Sequence, residues 1–378
     1  MKTLIKNARV VLPDCSGYKN ADVLIENGKI SALGGDFTAE RVIDASGKYL
    51  LPGLIDIHNH GALGMNFGGE NADCEKILQF FAKNGVTTLF PTTGTDSVDA
   101  IAGQIERIAN FKQSGSSKGA HIGGIHLEGP FISTEKKGAM AHASPPCTVE
   151  NFIRLIEAGR GEVKLVAIAP ERENAIEVIK EGVSRGVRMS LGHTMATYDE
   201  AVAAIKAGAN HATHTFNAMR AYNHREPGVL GAVLTTPSVD CEVICDMVHL
   251  HPTTVELIRR AKGLDKMILI SDSVPITGLP DGEYVVYGDQ VRIVKDGISR
   301  TKDGTIAGSC FTMSYGAKKL VEQGYSLADI AKIGALNPAR AMGIDNETGT
   351  IEAGKSADIL ICDEKMNIEQ VILRGEVI

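Results

Sequence analysis

Between residues 54 and 272 the chain alternates short apolar, strand-like runs with helical ones. The strand candidates span 54–60, 87–92, 122–128, 163–169, 187–193, 211–216, 241–248 and 267–272. Helical patterns at 75–84, 98–111, 149–158, 175–185, 198–207 and 253–262 separate most of them. Such alternation gives parallel strands joined by crossover helices. Eight units predict an α/β fold, a TIM-like (β/α)8 barrel rather than an open sheet. A barrel of this type uses about 250 residues. The 378 residues therefore hold one barrel and a small second unit. Two further helical stretches, 311–323 and 327–342, follow the last strand. Residues 278–308 read as an insertion, with strands at 284–287 and 290–294.

Both chain ends read as strands. Residues 22–30 form a hairpin turning at Asn27-Gly28, where both central positions need positive φ. Residues 42–51, 357–362 and 369–373 continue the pattern, and Arg374-Gly375 turns into the last two residues. Neither end has enough strands to bury a face alone. Together, 1–52 and 348–378 are expected to form one small β-sandwich, leaving 53–347 to the barrel. There is no internal repeat.

Composition narrows the function. Hydrophobic residues make up 43% of the chain, which excludes a mainly disordered protein. The net charge of −7 argues against nucleic acid as a partner but leaves room for one small anion held by local Arg residues. The seven Cys are odd in number and form no CxxC pair, so a reduced, cytoplasmic setting is expected. Residues 1–14 alternate like a strand rather than a signal peptide. No run approaches the roughly 20 apolar residues of a membrane span, so no membrane partner is expected.

All eleven His lie between His58 and His251. In a (β/α)8 barrel the active site sits at the C-terminal ends of the strands. His58 and His60 end the first candidate strand, and their i, i+2 spacing gives them one face. Glu128 ends the third, His193 the fifth, His214 the sixth and Asp272 the eighth. A lone His at a strand end is commonly a hydrogen-bonded structural residue, and a lone Asp a turn residue. Six such side chains at one mouth predict a metal site. Glu128, His193 and His214 make a one-carboxylate, two-imidazole set that suits zinc, although iron, manganese or cobalt also fit. His58 and His60 can bind a second ion or help hold the first. Asp272 can take a proton from the attacking water and return it to the leaving group. His211, three residues before His214, is assigned to the outer face or to structure. His126 shares parity with Glu128 and is expected to point inward in support.

Several stretches carry a resemblance. They are Pro52-Gly53-Leu54-Ile55-Asp56-Ile57-His58 with His60-Gly61; Gly124-Ile125-His126-Leu127-Glu128-Gly129-Pro130; Leu191-Gly192-His193-Thr194; and Ala212-Thr213-His214 with Phe216-Asn217-Ala218-Met219. Arg225-Glu226-Pro227-Gly228, Asp246 with His249, Asp272 and Gly308-Ser309 follow in order. On these the chain resembles the amidohydrolase superfamily over nearly its whole length, and within it the deacetylases of amino sugar phosphates. The resemblance implies removal of the acetyl group from N-acetylglucosamine 6-phosphate, with the galactosamine isomer as the alternative. It implies Glu128, His193 and His214 as metal ligands, with His58 and His60 keeping a second divalent ion open. Asp272 is the implied acid/base. His249 is the implied donor to the acetyl oxygen. Asn217, Ala218 and Arg225 are implied around the sugar phosphate, Arg225 either in its own chain's site or reaching from the neighbouring subunit of a homodimer. The chain departs from the family at Met140, where a His is usual, so that His142 is the nearest imidazole. It departs again at Met247 and Ser273. A cyclic-amide hydrolase or deaminase on the same scaffold is disfavoured, because Lys164 stands too early in the fourth strand to bridge metals. A barrel that had lost catalysis would lack ligands or the acid/base, and none is missing.

Overall fold

The structure is a computed structural model and describes residues 2–115, 117–140 and 144–378. Eight parallel strands form the barrel: β1 (Leu54–Asn59), β2 (Val86–Thr93), β3 (Ile125–Glu128), β4 (Val163–Ile168), β5 (Arg188–Leu191), β6 (His211–Ala212), β7 (Asp240–Ile244) and β8 (Met267–Ile270). They pair in that order, and the two-residue strand His121–Ile122 adds to β2. Strand β8 returns to β1 through bonds at the strand ends rather than a regular ladder. The N–H of Asp272 donates to His58 O at 3.0 Å, and the N–H of His60 donates to Ser273 O at 2.7 Å. Buried Asp56 stitches this seam, accepting from Asn59 Nδ2 at 2.9 Å and from the N–H of Ser271 at 3.2 Å. Closure of the barrel and placement of the predicted site residues are thus one set of bonds.

Helices cover the strands: α1 (Cys74–Lys83), α2 (Val98–Ser114), α3 (Val149–Ala158), α4 (Ala175–Ser184), α5 (Tyr198–Lys206), α6 (Gly228–Thr235), α7 (Pro252–Lys262) and α8 (Met313–Glu322). Local chemistry starts them where expected. Thr197 and Glu200, for example, cap α5 reciprocally, satisfying two otherwise orphaned N–H groups. Helix α6 is absent from the sequence reading, because Gly228–Val233 is apolar on every side and buried, so it carries no amphipathic period. The 327–342 stretch is helical but interrupted by a π segment at Lys332–Leu336.

Ile55, Phe90, Leu165, Ile244 and Ile270, from β1, β2, β4, β7 and β8 on both sides of the barrel, form one cluster, so they meet inside it. Gly123 and Gly124 are required by Phe90: a Cβ at either would lie within 2.8 Å of its ring. No helix among the described residues is long and apolar enough to cross a membrane.

Strands from both ends make a second sheet, in the order Glu376–Val377, Ile368–Leu373, Ile359–Cys362, Tyr49–Pro52, Lys2–Val11, Tyr18–Glu26, Lys29–Leu33, with Arg41–Asp44 also on Lys2–Val11. The sheet folds back on itself. Ile30 N–H donates to Lys355 O, and Ala357 N–H to Gly28 O, both at 2.9 Å. Ile5, Val10, Ile25, Ile359 and Ile372 are enclosed between its layers, which makes the expected sandwich. The insertion holds four antiparallel strands rather than two: Gly282–Val286, Gln290–Lys295, Ile298–Arg300 and Ile306–Ser309.

Candidate active site

Glu128, the last residue of β3, sits at the centre of a ring of imidazoles. Its Oε1 lies 2.9 Å from His193 Nε2 and 2.9 Å from His214 Nε2. The same oxygen is 3.3 Å from His58 Nε2, and Oε2 is 3.1 Å from His60 Nε2. Asp272 Oδ1 faces the same two rings, 3.5 Å from His58 Nε2 and 3.4 Å from His60 Nε2. All six side chains are buried. His193, His214 and Asp272 stand just past their strands, with φ of 47°, 28° and 50°. Left-handed backbone costs a non-glycine residue on the order of 1–3 kcal/mol. Here it turns three side chains off the strand direction and onto one point.

The donor set fits a divalent cation. His193 Nδ1 donates to Lys136 O at 2.8 Å, so Nε2 of the neutral ring carries a lone pair. That lone pair faces His214 Nε2 at 3.0 Å. His58 Nε2 is buried without a hydrogen-bond partner. Lone pairs and carboxylates pointed at one another in a buried space are held together by a cation between them. Among the described residues three groups meet the reach of one ion: Glu128, His193 and His214; His58, His60, Glu128 and Asp272; and, one layer below, His58, His126 and Glu242.

Electrostatics agree with this crowding. Burial works against ionisation of Glu128, yet the surrounding His58, His193 and His214 hold its carboxyl well below the usual range. Asp272 is lowered in the same way by His58 and His60. Burial opposes a charge on His60, but Asp272 and Glu128 push it up to about 9 in the metal-free chain.

A second layer lies beneath. Glu242 on β7 is fully buried, with Oε2 3.0 Å from His58 Nδ1 and Oε1 3.0 Å from His211 Nε2. Burial disfavours its charge, but His211 and His58 hold the carboxyl well below its ordinary range. His211 therefore does not lie on the outer face. The parity count ran through a strand that in fact stops at Ala212, so it does not extend to His214. The structural half of that assignment stands. His126 packs edge-on against His58 at 4.6 Å and donates from Nδ1 to Ile57 O at 3.1 Å. Burial and the neighbouring His58 push it down to about 3, so its ring stays neutral.

A cavity of about 1090 Å³ opens over the cluster. Asn217, Ala218 and His249 line it. His249 Nδ1 donates to Asp246 Oδ2 at 2.7 Å, and Asp246 Oδ1 accepts the N–H groups of Val248 and His249 at 2.9 Å each. Burial disfavours protonation of His249, but Asp246 raises it above the usual imidazole range. Arg225 is not brought to this cavity. It stands exposed, with Nη1 2.8 Å from His224 Nε2. His142 lies outside the described residues.

The sequence reading gave the insertion no place in the site. Its Val286, Tyr287 and Arg292 line the cavity, and Arg292 Nη2 donates to Ala139 O at 3.1 Å on the opposite wall. The Gly308-Ser309 stretch at its end was the available signal, since Gly308 also borders the cavity.

Comparison with known proteins agrees with this geometry. The amidohydrolase family model matches residues 49–378. The N-acetylglucosamine-6-phosphate deacetylase of Bacillus subtilis (strain 168) is 36% identical, covering 99% of this chain and 96% of the relative. The N-acetylgalactosamine-6-phosphate deacetylase of Escherichia coli O157:H7 is 31% identical, with 99% of each chain covered. A mutant N-acetyl-D-glucosamine-6-phosphate deacetylase of Mycobacterium smegmatis, solved in complex with N-acetyl-D-glucosamine-6-phosphate, superposes with a TM-score of 0.90. It shares 32% identity and covers 100% of this chain and 98% of that one. A barrel closed through its own site residues, a buried carboxylate ringed by four imidazoles and these full-length matches agree: the chain belongs to the amidohydrolase family.

Proposed function

We propose that this chain hydrolyses the acetamide of N-acetylglucosamine 6-phosphate, giving glucosamine 6-phosphate and acetate. The observation that carries the reading is the approach of His193 and His214 to one oxygen of Glu128, with Asp272 facing the same point. Full-length relatives named for that reaction supply the substrate.

Glu128, His193 and His214 would hold a zinc ion, and His58, His60 and Asp272 would admit a second ion sharing Glu128. A divalent ion there polarises the amide carbonyl and makes water a strong nucleophile near neutral pH. Asp272, held ionised by His58 and His60, accepts the proton of the attacking water. It then delivers that proton to the departing amine. His249 is anchored through Nδ1, which leaves Nε2 to donate to the acetyl oxygen. This donation needs the doubly protonated ring, the form Asp246 favours. Asn217 and Ala218 contact the sugar. Arg225, exposed and away from its own chain's cavity, binds the phosphate in the partner's site of a homodimer. Seven unpaired cysteines accord with a reducing cytoplasm.

The test is acetate release from N-acetylglucosamine and N-acetylgalactosamine, each with and without the 6-phosphate. The gluco 6-phosphate should be turned over with the highest kcat/KM. Preference for the galacto isomer would move the substrate, and no release from any of the four would remove the reading.

A further inference from the structure

Beneath the metal cluster a chain of polar groups crosses the barrel from Arg188 on β5 to His58 on β1. The proposed reaction gives no role to its Arg188, His211 or Glu242. Arg188 Nε lies 3.2 Å from His211 Nδ1. His211 Nε2 is 3.0 Å from Glu242 Oε1, and Glu242 Oε2 is 3.0 Å from His58 Nδ1. The same Oε2 accepts the backbone N–H of His214 at 3.1 Å. His58, His211 and Glu242 are completely shielded from solvent.

Every proton in this chain has its position set from one end. A guanidinium only donates, so His211 Nδ1 must accept. The single proton of a neutral His211 then sits on Nε2, where it donates to Glu242. A carboxylate only accepts, so His58 must carry its proton on Nδ1. In the neutral ring, the form that binds a metal, Nε2 is then the lone-pair nitrogen, on the side of Glu128 and Asp272. Arg188 cannot turn away to reverse the order. Its Nη1 donates to Ala341 O at 3.0 Å, its Nη2 to Asn210 O at 3.2 Å, and it is paired with Asp240.

We propose that Arg188, His211 and Glu242 form a tautomer relay that fixes the neutral His58 with its proton on Nδ1 and its Nε2 lone pair aimed at the metal. Glu242 is its positioning residue, because it also ties down the backbone of His214. A carboxylate on the far nitrogen of a ligating His fixes ring orientation and basicity. Here that carboxylate is itself oriented from the opposite side of the barrel. An isosteric Glu242→Gln change cannot replace it. The amide NH2 must face either His211 Nε2–H or the N–H groups of His58 and His214, donor against donor.

The relay rests on the reading of His58 as a metal ligand, and its tests are separable from the deacetylase reading. In zinc-loaded protein with 15N-labelled histidine, assigned by difference from His58→Asn, the His58 ring should be protonated at Nδ1 and not at Nε2. This needs no variant of the relay itself. Glu242→Gln should bind zinc about 10- to 100-fold more weakly in chelator competition, and its cobalt-loaded form should show a changed visible spectrum. Arg188→Met, remote from the metal, should shift zinc affinity in the same direction. A proton on His58 Nε2 would overturn the relay. So would a folded Glu242→Gln protein with unchanged zinc affinity and cobalt spectrum. Acetate release by the unmodified protein is scored apart: its absence beside the expected tautomer and affinities removes the deacetylase reading and upholds the relay.

Discussion

His193 and His214 face each other Nε2 to Nε2 at 3.0 Å, both 2.9 Å from a single oxygen of Glu128. Two imidazole nitrogens and a carboxylate oxygen at that spacing offer three ligand atoms to one cation.

Metal uptake should therefore release protons. In the metal-free chain His60 is pushed up to about 9, so it is charged at pH 7. A ligand must be neutral. Below about pH 9, affinity of the site that includes His60 should climb as pH rises, with at least one proton released as that site fills. Calorimetry in buffers of different ionisation enthalpy measures that release. An affinity independent of pH between 6 and 8 would place His60 outside the ligand set.

Asp272→Asn should lower kcat by about 10²- to 10⁴-fold, the range for loss of a general acid/base. The ion held by Glu128, His193 and His214 should stay bound, because those three residues are untouched. Elemental analysis of the purified variant beside single-turnover kinetics separates loss of chemistry from loss of metal.

Asp246→Asn tests the anchoring of His249. The carboxylate raises His249 above the usual imidazole range, so the donating, doubly protonated ring persists to higher pH. Without that charge the ring loses its proton earlier. The alkaline limb of the kcat profile should move to lower pH, and kcat should fall by about 10²-fold, comparable to loss of one oxyanion donor. An unmoved alkaline limb would take His249 out of that role.

Arg225→Ala should raise KM for the 6-phosphate and matter little for the unphosphorylated sugar. Its exposed position also makes a stronger prediction. Arg225→Ala mixed and reassembled with inactive Asp272→Asn should recover activity, because the second chain lends its Arg225 to the first chain's intact centre. No recovery, in a mixture shown to exchange subunits, would return Arg225 to its own chain's site.

The barrel was legible because its strands are short, apolar and regularly spaced, and the centre because strand ends converge by topology. What escaped has physical reasons. Helix α6 is buried on all sides and carries no period. The outer-face alternative for His211 failed because strand parity ends with the strand, at Ala212. Glu242 stands in an apolar run with no local pattern to single it out; only the closed barrel brings it between His58 and His211. The part played by Tyr287 and Arg292 depends on where the insertion folds, and no local pattern encodes that.

The most direct measurement follows acetate and free amine from N-acetylglucosamine 6-phosphate on metal-quantified protein, before and after chelation and after zinc is restored. The expected result is equal amounts of both products, lost on chelation and recovered with zinc. Release that survives complete metal removal, or no release by the zinc-loaded protein, would contradict metal-dependent deacetylation.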